Sequence, residues 1–416
     1  MRKALSLLLV LAMVLSFAVY GVQASAEADT ELTGTLTYWT YTDNAYHLAD
    51  EFAKLYPNVE VDVQVFGGDE YKTKILTALQ DGSNVPDLFD LEENYVCDFL
   101  DSSLLADLSY VNVEELTKNY YGYQIASMKD TKGNYKCLTF MSNPVCFWYL
   151  RDACEQWLGT SDPDEISAMI TSWDDMLDLQ KKVWEASNGE VAVYGTISEM
   201  PKVSAFSFEP LVQNGELVIT QDWIDLIEDM RKFYQSGVDP EYDAWSGEWA
   251  TAWNTGKLLF RTMPSWDFFT DWSVNDGNVG LAVPFKASFE GQTAICVYEK
   301  SPNKELAGEF IKFIASDEFQ IIDMESYNQV PASRTAIEAM AEGYSDSKFG
   351  GQNLLATYGD ILEYVESIVP DKYTRSVQNL FTKYVTNGLK EGKDNDTILA
   401  DFKAALADQY PEVVIK

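Results

Sequence analysis

The chain has 416 residues, with 66 Asp and Glu against 30 Lys and Arg and a single histidine, for a net charge of −36. A surface this acidic repels phosphate backbones and anionic lipid, which excludes nucleic acid and anionic membranes as partners and favours solubility. One histidine leaves Ser–His–Asp, Cys–His and multi-histidine metal chemistry poorly supplied, and no GxGxxG, GxxxxGK[ST] or HExxH pattern occurs, so no cofactor is expected.

Arg2 and Lys3 precede an apolar stretch from Ala4 to Tyr20 and then the small-residue triplet Ala24-Ser25-Ala26. This reads as an export signal cleaved after Ala26, because the apolar run is short for a spanning helix, which needs ~20 residues. Removing residues 1–26 takes away two basic residues and no acidic ones, so the mature charge is more negative still. A lipid tether needs a cysteine close behind the apolar run, and the first cysteine is Cys97, so the expectation is an exported, extracellular or periplasmic protein at the cell envelope without a lipoprotein anchor. The remaining chain, about 390 residues, exceeds what one core usually serves and predicts two lobes. Cys97, Cys137, Cys146, Cys154 and Cys296 are odd in number and match no metal or CxxC spacing. Their apolar neighbours favour buried structural thiols and leave room for one disulfide.

In chain order, a β-like run from Leu36 to Trp39 leads through the polar loop Thr40 to Asn44 into a helix with Leu48, Phe52 and Leu55 on its apolar face, stopped by Tyr56-Pro57-Asn58. Val59, Val61, Val63 and Val65 alternate with polar residues, the period of a half-buried strand. A helix over Tyr71 to Gln80 ends at Asp81-Gly82, and Val85 to Leu91 gives a third strand. This strand–helix rhythm predicts a parallel sheet covered by helices. The rhythm breaks at Cys137 to Leu150, a β-rich run containing Asn143-Pro144. Ser172 is placed to cap a helix carrying Met176, Leu179 and Val183, and another helix runs from Gln221 to Gln235. Val279 to Phe285 and Thr293 to Tyr298 read as strands, Asn303 to Ser316 as a helix, and Asp360 to Gln409 as mostly helical. Trp245, Trp249 and Trp253 recur at four-residue spacing, a stripe that is more often core than site.

Read together, these pieces resemble the bacterial extracellular solute-binding proteins of sugar-uptake ABC transporters, the group that includes maltose-binding protein. The resemblance rests on Leu36-Thr-Tyr-Trp39, on Phe52-Ala-Lys-Leu-Tyr-Pro57-Asn-Val-Glu-Val61, on Gly82-Ser-Asn-Val-Pro86-Asp87-Leu-Phe-Asp90 and on Phe147-Trp-Tyr-Leu-Arg-Asp152. It continues through Trp173-Asp-Asp-Met-Leu177, Asn254-Thr-Gly256-Lys-Leu-Leu-Phe260 with Trp266, and Ser301-Pro-Asn-Lys-Glu-Leu-Ala-Gly-Glu-Phe310. The motifs stand in the family's order along nearly the whole mature chain. Departures are Tyr149-Leu150 for the family's Tyr-Asn, Trp253 for a phenylalanine and Gly291-Gln292 for Gly-Gly, and they bear on which ligand is taken.

The resemblance implies an α/β, two-lobed periplasmic-binding-protein-like fold of class II type, each lobe a mixed, mainly parallel sheet flanked by helices. Lobe one is expected over 27–143 and 285–328, and lobe two over 144–284 and 329–416, with hinge crossovers near Asn143-Pro144, Pro284 and Gln329-Val330-Pro331. It also implies a non-enzymatic, monomeric binder of a sugar or oligosaccharide that serves membrane permease subunits. Sugars need aromatic plates for their C–H faces and carboxylate or amide groups for their hydroxyls. The family places a stacking tryptophan at Trp266, an acid at Asn94 or, one residue earlier, Glu93, a crossover residue facing the cleft at Asn143, and an aromatic near Tyr373 and Arg375. Independently, Tyr41, Asp43 and Asn44 follow the first strand, where ligands of open parallel sheets sit. Gln292 precedes the strand to Tyr298, within reach of the site, and Trp245 lies at the edge of the tryptophan stripe, the one of the three placed to line the cleft. Two rivals remain: a secreted glycosidase using Asp90 with Glu92 or Glu93, and a binder of a cationic solute.

Overall fold

The computed structural model describes residues 31–269 and 274–416. The export signal expected over 1–26 lies outside these residues. The chain opens with β1 (Gly34–Thr40), α1 (Asn44–Leu55), β2 (Val59–Val65), α2 (Gly68–Asp81), β3 (Leu88–Glu92) and α3 (Glu93–Leu100). Ala45, Leu48 and Phe52 form the buried face of α1. Leu55, expected on that face, is 46% exposed, because Tyr56 just beyond the helix takes the inward position and stacks on Phe52 at 4.5 Å. In β2 only Val59 is fully buried, since this strand is the edge of its sheet.

Beyond the break the chain forms β4 (Val145–Leu150), α4 (Trp173–Ala186), α5 (Gln221–Gln235), α6 (Gly247–Asn254), β5 (Phe260–Pro264) and β6 (Val279–Ala282). It returns through β7 (Thr293–Val297) and α7 (Lys304–Ile314), and closes with α8 (Asp317–Tyr327), α9 (Thr374–Lys390) and α10 (Asn395–Gln409). Ser172 accepts a hydrogen bond from the Asp175 amide and starts α4, as its position predicts. Ser246 does the same for α6, so that helix begins after Trp245, which sits outside it in a left-handed conformation at φ 69°. The three tryptophans therefore do not share one helical stripe.

The first sheet has the order β2-β1-β3-β7, with β1 parallel to both neighbours and β7 antiparallel to β3. The second has the order β5-β4-β6, and both of its ladders are antiparallel, where a mainly parallel sheet was the expectation. The cause is topological: β4 carries the chain away from the first sheet and both neighbours carry it back.

Two separate apolar cores match the two sheets. One gathers Leu36, Phe52, Phe89, Ile295 and Phe310, and the other Phe147, Trp148, Trp223, Phe260 and Phe381. The chain passes between them in three places, and the crossing segments bond to one another. The Ser142 amide donates to the Val330 carbonyl at 2.7 Å, and the Glu290 amide to the Asn143 carbonyl at 3.1 Å. The Asn143 side chain donates to the Gly291 carbonyl at 2.7 Å. Phe289 still packs in the second core and Ala294 in the first, so the second crossing falls between those residues. All five cysteines are buried.

Candidate functional site

A cavity of about 1080 Å³, open to solvent, lies where the carboxyl ends of β1 and β3 face the second lobe across the crossing segments. β1 delivers Tyr41 and Thr42 to it and α1 delivers Asn44. β3 supplies Asp90 and Glu92, the crossings supply Asn143, Gly291 and Gln329, and the second lobe contributes Trp266, which follows β5. Strands of a parallel sheet end together, which is why residues fifty positions apart converge here.

Asp90 is wholly buried at the cavity floor. Its carboxylate accepts from the Tyr38 hydroxyl at 2.7 Å and the Thr40 hydroxyl at 2.5 Å, and the Tyr71 hydroxyl donates to its carbonyl at 2.6 Å. Burial pushes its carboxyl up to about 7, against the pull of the Thr40 and Tyr38 hydrogen bonds. The Tyr41 hydroxyl pairs with Thr293 at 2.5 Å, which fixes one wall. Asn44 is buried and its Oδ1 has no hydrogen-bond partner. Burial raises the carboxyl of Asp323 to about 7, against the pull of Asn44 beside it. His47, one turn along α1, reaches the same carboxylate at 3.6 Å.

Trp266 is pinned at the hinge. Its indole N–H donates to the Glu290 carbonyl at 3.0 Å, and its ring lies parallel to Trp245 at 5.8 Å with 8° between planes. Gly291 has φ 82°, and a Cβ there would stand 2.6 Å from the Trp266 Nε1. Only glycine allows the crossing chain to pass so close to the indole. Trp245 itself is 52% exposed and rests against Trp249 at 5.6 Å.

The other candidates named from the sequence are distributed differently. Glu93, Gln292 and Arg375 line a second cavity of about 740 Å³ between α3 and α9. There Glu93 forms an ion pair with Arg375 of the opposite lobe and accepts from the Gly291 amide at 2.8 Å, while Gln292 accepts from Ser127 at 3.1 Å. The Arg375 guanidinium also lies over the Phe289 ring at 5.2 Å. Asp43 and Asn94 are exposed, with Asn94 donating to Glu92 at 3.2 Å. Tyr373 turns away to donate to Glu412 at 3.0 Å and packs edge-on against Tyr410. Tyr41, Asn44, Asn143 and Trp266 are thus the four that the fold brings to one cavity. Sequence reasoning missed Phe140, Met141, Thr293 and Gln329 as lining residues, and considered Asp90 only as a catalytic acid. Phe140 and Met141 carry a readable signal, since they stand three and two residues before Asn143 in the same β-rich run.

Among the described residues no group of three or more His, Cys, Asp or Glu is arranged to hold a metal, and no helix is long and apolar enough to cross a membrane.

Two lobes, two cores and a cavity at their seam define a binding protein of the hinged α/β class. The chain belongs to the family described as bacterial extracellular solute-binding protein, which it matches over residues 47–350. It is 24% identical over 346 residues to an arabinooligosaccharide-binding protein of Bacillus subtilis, covering 76% of this chain and 77% of the relative. A crystal structure described as an extracellular solute-binding protein of family 1 superposes with a TM-score of 0.80 at 17% identity, over 90% of this chain and 99% of that one. The galacto-N-biose-/lacto-N-biose I-binding protein of an ABC transporter from Bifidobacterium longum, solved with lacto-N-biose, superposes with a TM-score of 0.73 at 15% identity, over 94% and 100% of the two chains.

Proposed function

We propose that the protein is the exported substrate-binding component of a carbohydrate ABC transporter and holds a neutral sugar or short oligosaccharide in the cavity of Trp266. One observation carries this reading: the cavity offers an indole with Asp90, Glu92, Asn44, Asn143 and Gln329, and none of its lining residues is Lys or Arg. Ring hydroxyls donate to such acceptors and the ring's C–H face covers the indole, whereas uronates and sugar phosphates meet uncompensated negative charge. The relationship to arabinooligosaccharide-binding proteins supports plant-derived pentose oligomers as the first ligands to try.

Ligand held by Glu92 and Asn44 on one lobe gains Trp266 on the other only when the lobes meet, so binding drives closure, and closure is what permease subunits read. In this reading the export signal is cleaved after Ala26, the hinge lies at 143–144, between 289 and 294 and at 329–331, and the chain acts as a monomer without catalysis. A hydrolase would need Asp90 as a reacting carboxyl, yet both its oxygens are already committed to Tyr38 and Thr40.

The test is a melting-shift and calorimetric screen over arabino-, galacto- and malto-oligosaccharides with galacturonate as a control, beside an assay for released reducing ends. Saturable stabilisation by a neutral saccharide without turnover, and contraction in small-angle scattering on binding, is the expected outcome. Galacturonate binding as tightly as the neutral sugars, or new reducing ends, overturns it.

A further inference from the structure

Three of the five cysteines converge beneath the hinge. Leu138 and Ile295 exchange both backbone hydrogen bonds, at 2.9 and 2.8 Å, as an antiparallel bridge between the segment entering the first crossing and β7. The next pair outward in that register is Cys137 and Cys296. It is a non-hydrogen-bonded pair, with Cα atoms characteristically about 4.5 Å apart and both side chains on one face of the sheet, within the span a disulfide bridges. Both thiols are buried, Cys137 at 1% and Cys296 at 0% exposure. The Cys137 thiol donates to the Met128 carbonyl at 3.9 Å and the Cys296 thiol to the Ala294 carbonyl at 3.7 Å, and Cys97 of α3 lines the same second cavity as Cys137.

We propose that the exported chain carries a cross-strand disulfide between Cys137 and Cys296, closed during folding outside the cytoplasm. The two thiols lose two protons and two electrons as the S–S bond forms. The electrons pass by thiol–disulfide exchange to an oxidant that itself bears a disulfide, which leaves as a dithiol. The exchange precedes burial, because burial raises the Cys296 thiol well above its ordinary range and withholds the thiolate that exchange requires. The bond ties the chain's departure from the first lobe to its return. Everything between, including β4, β5 and β6, becomes a closed loop. Its length puts the entropic stabilisation at the upper end of what one disulfide gives, and it fixes the spacing of two of the three strands that the hinge bends.

The experiment uses the full chain exported from its host and purified without reductant. It is denatured in iodoacetamide, digested with trypsin and mapped by mass spectrometry. The expected result is three alkylated cysteines, a mass lower by two hydrogen atoms than the reduced chain, and a cross-link joining the Lys136–Arg151 interval to the peptide containing Cys296. Cys137 and Cys146 share that interval, so fragmentation between them assigns the bond. The oxidised chain melts several degrees above the reduced one, and this difference vanishes in Cys137→Ser and Cys296→Ser but persists in Cys97→Ser. Five alkylated thiols, or a bond between Cys97 and Cys137, overturns the proposal even if the serine variants fail to fold.

Discussion

Trp266 and Gly291 work as one device, since the indole is held by the Glu290 carbonyl and by a backbone that must carry no side chain. Trp266→Ala should weaken saccharide binding by ~1–3 kcal/mol, the usual worth of a site aromatic, as read by titration calorimetry. Gly291→Ala should approach the same loss with the tryptophan still present, because its Cβ displaces the indole and its φ is strained for any L residue. Unchanged affinity in both variants would remove Trp266 from the site. At this scale the sequence was uneven evidence. The place of Trp266 beside the cavity was legible through motif order, while Trp245 was read onto a helical stripe because four-residue spacing looks helical whether or not the helix has begun. Asp90 was hidden for another reason: a carboxylate in the middle of a buried strand is intelligible only once Tyr38 and Thr40 of β1 stand beside it.

Helix α3 at the end of β3 and helix α9 in the other lobe meet through Glu93 and Arg375, both more than nine-tenths buried. Removing one member of such a pair strands the other charge in the interior. Arg375→Met should therefore cost ~3–5 kcal/mol in urea unfolding, and the double variant with Glu93→Gln clearly less than the sum of the two single losses. Additive losses would show that the pair carries no coupling. Helices such as α5 and the edge strand β2 could be read from periodicity alone, because each keeps one face toward a core along its length. The sense of the second sheet could not, since alternation of apolar residues is the same whichever way the neighbouring strand runs.

Several deeply buried carboxyls give the whole molecule a pH signature. Burial raises Asp90, Asp323 and Glu199 to about 7 and Asp239 to about 6. A raised acid binds protons more readily folded than unfolded, so its contribution is full below the unfolded value, roughly 4, and is lost as pH climbs through 6 to 7. His47, lowered by burial, acts in the opposite sense below its ordinary value, but it is one group against four. The melting temperature should therefore fall between pH 5 and pH 8, and a flat or rising profile by calorimetry would contradict this assignment of charge. The two-lobe plan was legible because length and motif order both demanded it. The crossing near 290 was less so, since its position depends on which core Phe289 and Ala294 join. The first sheet has one more consequence. β7 must slot in beside β3, with Cys296 opposite Phe89, so an emerging polypeptide cannot finish its first lobe until the greater part of the second has already been extruded. The amino-terminal half stays incomplete until then, and the two halves come to rest almost together.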